Sequence, residues 1–184
     1  MNYYGAADLA SSFRTVRKNT LIIAGDIGEE RYNFRPAPET RTVAQLLVHI
    51  ALVPTLQTQI HSVEHRSSLE GFDFFGFVGR MGAEEQTPRS KAEIMTLLRD
   101  GGERFAKWLE GLSDSFLSER VSMPPGMTPA SKTRFEFLIG VKEHEMHHRG
   151  QLMLIERMVG IVPHLTREAQ ARLASMQAAS KAGS

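Results

Sequence analysis

A chain of 184 residues, 41% hydrophobic and with a formal net charge of +1, has room for one sizeable core and little room for two. Its 22 basic and 21 acidic residues are interleaved, so it offers no broad basic surface for counterion release from DNA, and nucleic acid is set aside as a partner. The absence of cysteine excludes disulfides, thiolate zinc sites, iron–sulfur clusters and a cysteine nucleophile, leaving His, Asp or Glu to hold any metal.

The N-terminal residues lack a charged region followed by an apolar one, and no window reads as long and apolar enough to cross a membrane. A cytoplasmic protein with no membrane partner is therefore expected. The first helical pattern runs from about Ala6 to Ile27, with Leu9, Phe13, Val16, Thr20, Ile23 and Ile27 at spacings of three and four. Gly28 offers a stop, and Pro36 and Pro38 make the following segment a connection. A second helix starts near Thr40 as its cap, with the stripe Val43, Leu46, Ile50 or His49, Val53, Leu56 and Ile60. Pro54 lies inside it, and a kink is expected just after His49.

From about Arg66 to Ser90 the periodicity fails, because Gly71, Gly76, Gly79 and Gly82 interrupt an aromatic cluster at Phe72, Phe74, Phe75 and Phe77. Ser90 with Glu93 is a capping-box signature, and Ile94, Leu97, Leu98, Phe105, Trp108 and Leu109 mark a third helix weakened at Gly101 and Gly102. Residues 111–131, with Pro124, Pro125, Gly126 and Pro129, read as a second long connection. A fourth helix runs from about Lys132 to Val159 and closes at Gly160. A short amphipathic piece carrying Leu165, Ala169, Leu173 and Met176 follows, and then an irregular tail. The expected fold is all-α: a four-helix-bundle domain over residues 1–165, with a short C-terminal helix and flexible tail over 166–184.

In the fourth helix the seam Phe137, Val141, His144, His148, Gln151, Ile155 and Met158 is apolar except at three consecutive positions. Unpartnered burial of such groups costs on the order of 1–3 kcal/mol each, so something must satisfy them. His49 is a similar exception on the second helix, among Leu46, Ile50, Leu52 and Val53. Two histidines four residues apart share a helical face, and a third from a neighbouring helix completes a three-nitrogen metal site with open positions. Core histidines bonded to one another, to Gln151 or to buried water are the plain alternative. His147 points about 100° from His148 and is expected either at the surface or behind a ligand, while His61, His65 and His164 are expected at the surface.

His144-Glu145-Met146-His147-His148 also satisfies H-E-x-x-H, the zinc peptidase pattern whose glutamate is a general base. The extended metzincin pattern fails at Gln151 and Leu154, and Glu145 lies off the seam, which weakens a catalytic role for it. Gln151, one turn beyond His148, is expected either to bond a water at the site or to pair with a neighbouring helix.

The segments Arg41–Ile50 and Glu143–Leu152 resemble those of the DinB-like (damage-inducible) metal-binding four-helix-bundle superfamily, and the likeness covers about residues 5 to 160. The resemblance implies an up-down-down-up bundle with a long crossover, and His49, His144 and His148 as ligands of one divalent ion. It further implies a homodimer and a metal-dependent enzyme of the hydrolase or thiol S-transferase type. The ion would activate a water or a low-molecular-weight thiol acting on a small-molecule substrate. Zinc or nickel suits such a ligand set best, with iron or manganese as alternatives. In that reading Phe72–Phe77 and Pro124–Pro129 roof the pocket; a non-catalytic metal scaffold or sensor is the competing reading, and an H-E-x-x-H zinc peptidase a weaker one.

Overall fold

The computed structural model describes residues 4–182. Four long helices carry the core: α1 (Ala6–Asp26), α2 (Val43–Thr58), α4 (Lys91–Glu110) and α6 (Arg134–Met158). Shorter elements join them: α3 (Phe74–Gln86), α5 (Asp114–Ser118), and the strands β1 (Arg120–Ser122) and β2 (Ser131–Thr133). α7 (His164–Ala182) follows α6.

Local chemistry sets the helix starts. The Thr42 hydroxyl accepts from the Gln45 amide and the Gln45 side chain reaches back to the Thr42 amide, so the cap of α2 lies two residues beyond Thr40. Thr40 instead bonds the Ala37 carbonyl at 2.7 Å within the connecting turn. Ser90 with Glu93 caps α4 as the sequence predicts, and Thr133 with Glu136 caps α6 in the same way. At the far end of α6, Gly160 adopts φ +85°, a left-handed conformation that only glycine takes without strain.

Packing follows from pairings that fix direction. Arg14 bonds Glu103 and Glu110 while the Lys91 ammonium reaches the Gly25 and Ile27 carbonyls, so α1 and α4 run antiparallel. α6 packs on both α1 and α2. Two apolar clusters result, one around Ile23, Leu47, Ile50, Ile94 and Leu152, the other around Leu9, Phe13, Phe105, Leu109 and Leu138. Arg17 lies at their junction, with its guanidinium 5.1 Å from the Phe13 ring. It pairs with both oxygens of Glu145 at 2.8 and 2.9 Å and bonds the Leu98 carbonyl at 2.6 Å. It also takes the Ile50 carbonyl at 3.3 Å, the acceptor stranded because Pro54 has no amide to give it.

Several expectations need correction. The glycine-rich segment after Arg66 contains α3, begun by Asp73, whose carboxylate accepts from the Gly76 amide. The connection before α6 contains α5 and an antiparallel ladder pairing Arg120 with Thr133 and Ser122 with Ser131. The C-terminal piece is a 19-residue helix rather than a short one, and it takes in nearly all of the tail read as irregular; residues 183–184 lie outside the described residues. Val43–Val63 is long and apolar enough to cross a membrane by length and composition, with mean hydropathy 1.3, contrary to the sequence reading. Its apolarity has a local cause: α2 is packed against α3, α4 and α6.

Candidate metal centre

His49 lies on α2, two turns after the Thr42 cap and just before the turn altered by Pro54. His144 and His148 lie one turn apart on α6, which crosses this stretch of α2. The pairing brings the three rings together, with centroids 4.4 to 4.9 Å apart. His144 Nε2 lies 3.0 Å from His49 Nε2 and 3.1 Å from His148 Nε2. One ring nitrogen from each lies within 4.8 Å of the others, the one such group of three metal-ligating side chains among the described residues.

The outer nitrogens decide what the inner ones can do. His49 Nδ1 lies 2.7 Å from Glu85 Oε1, and a carboxylate only accepts, so the proton of His49 is on Nδ1. His148 Nδ1 lies 2.8 Å from Gln151 Oε1, while the Gln151 amide nitrogen is 3.2 Å from His147 Nε2. With the amide donating to His147, Gln151 presents its oxygen to His148, which therefore also carries its proton on Nδ1. Two lone pairs thus aim at His144 Nε2. If His144 is protonated there, its one N–H serves only one of them; if it is not, three lone pairs face one another. Its own Nδ1 is buried without a partner. A cation at the shared point removes the conflict, so the residues fit a bound metal ion.

Protonation states agree. Burial is the largest influence on all three rings and lowers their pKa values, that of His144 to about 4, with neighbouring histidines adding to it. Neutral imidazole is the form that binds metal.

Of the other residues to which the sequence draws attention, Gln151 orients His148 and lines the neighbouring cavity. Glu145 is 1% exposed and both its oxygens hold Arg17, so it ties α6 to α1 and is not free to act as a base toward the trio. His147 and His65 are exposed as predicted. His61 and His164, read as surface residues, are buried. His61 accepts from the Arg134 guanidinium at 2.9 Å, and burial with that cation lowers its pKa to about 4. His164 lies 3.4 Å from the Asn19 side-chain oxygen. Glu85 escapes a reading of the sequence because α3 does; it also pairs with Arg41 at 2.6 Å.

Two unlike cavities flank the trio and share Arg41 and Glu85. A mixed one of about 640 Å³ reaches His148 and is lined by Arg35, Gln45, Gln86 and Gln151 together with Leu46, Leu154 and Ile155. A largely apolar one of about 430 Å³ reaches His49 and His144. Phe74 of the aromatic cluster lines the second, but Phe75 is 87% exposed, and residues 124–129 line neither cavity, so the expected roof is only partly realised.

A family model described as the DinB superfamily matches residues 12–152. Among solved structures, a DinB-like protein from Bacillus subtilis is 20% identical, covering 83% of this chain and 92% of its own, with a TM-score of 0.60. An uncharacterized protein from Clostridium difficile 630 is 16% identical, covering 86% and 99%, with a TM-score of 0.67. These likenesses show the fold. No curated protein matches the chain.

Proposed function

The chain belongs to the DinB superfamily, and from that premise we propose that it is a metal-dependent enzyme holding one divalent ion on His49, His144 and His148. The observation that carries this is the pair of lone pairs aimed at His144 Nε2, set by Glu85 and Gln151. A divalent ion on three neutral imidazoles keeps its charge uncompensated and makes a water or small thiol beside it acidic near neutral pH. Glu85 orients His49 and strengthens it as a donor, and Gln151 does the same for His148. Arg41, bordering both cavities, places a positive charge where the polar end of a small-molecule substrate arrives. Imidazole nitrogen suits zinc and nickel, with iron or manganese as alternatives.

For the fold we propose the up-down-down-up bundle. Supporting it are the antiparallel pairing of α1 with α4 and the long crossover that carries α3 between α2 and α4.

Metal analysis of the desalted full chain tests the function. About one divalent ion per chain is expected, with loss in a His144→Ala variant that keeps its helical circular dichroism. Equally little metal in both would sink the proposal. A cellular thiol that perturbs the visible spectrum of the cobalt-substituted protein supports the thiol-transferase branch over the hydrolytic one.

A further inference from the structure

Two cavities of different character flank the trio, one mixed and one largely apolar, and the apolar one has no role in the reading above. Its walls are Val53 and Leu56 of α2, Val78 and Met81 of α3, and Phe137 and Val141 of α6. His49 and His144 line it as well, with Arg41 and Glu85, and Lys132 and Glu136 also border it. Two further wall positions are glycines, Gly82 and Gly140, where an added Cβ meets no atom within 4 Å. At these two positions no side chain occupies the space. Phe74 and Val78 remain 49% and 43% exposed, apolar surface that an occupant would cover.

A volume of about 430 Å³ falls within the range of small-ligand sites, roughly 300–1,000 Å³. An apolar cavity of about 150 Å³ already holds benzene. An occupant with one apolar end and one polar end matches a lining that combines apolar side chains with the two histidines.

We propose that this chamber binds the hydrophobic arm of a small amphiphilic substrate, an alkyl, acyl or aryl group whose polar end reaches His49 and His144. Only the placing of the polar end rests on the metal reading; the apolar arm is held by the walls of the chamber.

Two measurements on the full chain separate the claims. In methyl NMR of the metal-free protein, 1-octanol should shift the Val53, Leu56, Val78 and Val141 methyls saturably, and Gly140→Leu or Gly82→Leu should abolish the shifts. Leucine suits a helix better than glycine, so these variants should fold at least as well as the parent. Unmoved methyls in the parent, or shifts that survive both substitutions, overturn the proposal. In calorimetry of the zinc-loaded protein, octanohydroxamate should bind at least about tenfold tighter than acetohydroxamate. Gly140→Leu should remove that advantage while leaving acetohydroxamate binding and zinc content unchanged. Equal affinities for the two probes would overturn the arm-to-trio arrangement. A protein that retains no zinc while its methyls still shift would refute the metal reading and leave the chamber standing.

Discussion

Glu156 on α6 is fully buried and neither of its carboxylate oxygens has a hydrogen-bond partner. Burial, reinforced by Asp26, raises its pKa from the ordinary 4.5 to about 7, so the folded chain holds a proton there that the unfolded chain releases. The stability this contributes is complete below pH 4.5 and is lost as pH rises through 7, on the order of 3 kcal/mol in all. Glu156→Gln keeps the neutral form at every pH. Urea unfolding should therefore find the variant about 3 kcal/mol more stable than the parent at pH 8, and within about 1 kcal/mol of it at pH 5. An equal difference at the two values would refute the assignment. Single residues are unevenly legible in the sequence. His49, His144 and His148 stand out because each breaks an apolar stripe and two are one turn apart. Arg17 breaks the stripe of α1 as plainly, but its partner Glu145 is 128 positions away and is masked by a peptidase-like motif. His61 and His164 carry no periodic signal, because burial of a lone histidine depends on a partner such as Arg134 that local sequence does not reveal.

At the level of the element, α4 tests whether a helical glycine is a weakness or a fit. A Cβ on Gly101 would come no nearer than 3.8 Å to Arg104 and 3.9 Å to the Ala51 carbonyl, ordinary contacts. A Cβ on Gly102 would lie 2.8 Å from Arg17 Nη1 and 2.9 Å from Arg17 Cγ, displacing a guanidinium with fixed partners. Gly101→Ala should accordingly stabilise the chain by about 0.5–1 kcal/mol. Gly102→Ala should destabilise it by about 1–3 kcal/mol. Thermal unfolding of the two variants is the check, and shifts of the same sign would count against the packing described for Arg17. Long helices are legible because their apolar period repeats over many turns. α3 is not, since Gly76, Gly79 and Gly82 lower its helix propensity, while its cap, its packing on α2 and the Glu85–Arg41 pair hold it. β1 and β2 are hidden for another reason: three residues are too few to show an alternating pattern.

For the whole molecule, the bundle ends well before the chain does. Residues 169–181 are exposed along α7, with Leu173 59% and Met176 63% exposed. Ending the chain after Glu168 keeps the Arg167–Asp26 pair and removes no buried side chain among the described residues. The melting temperature should stay within about 2 °C of the full-length value; a larger drop would show that α7 packs more closely than its exposure indicates. The general fold can be anticipated from four apolar periods and two long connections. The cavities flanking the trio cannot, because their walls come from side chains tens of residues apart. The Arg17 guanidinium gives the assembly its cooperative character. Its acceptors come from α2, α4 and α6, so it is fully bonded only when all three have joined α1. Detaching α6 takes away its carboxylate partner and detaching α2 or α4 takes away a carbonyl, so each partly assembled chain loses part of what holds the buried guanidinium, which favours all-or-none folding.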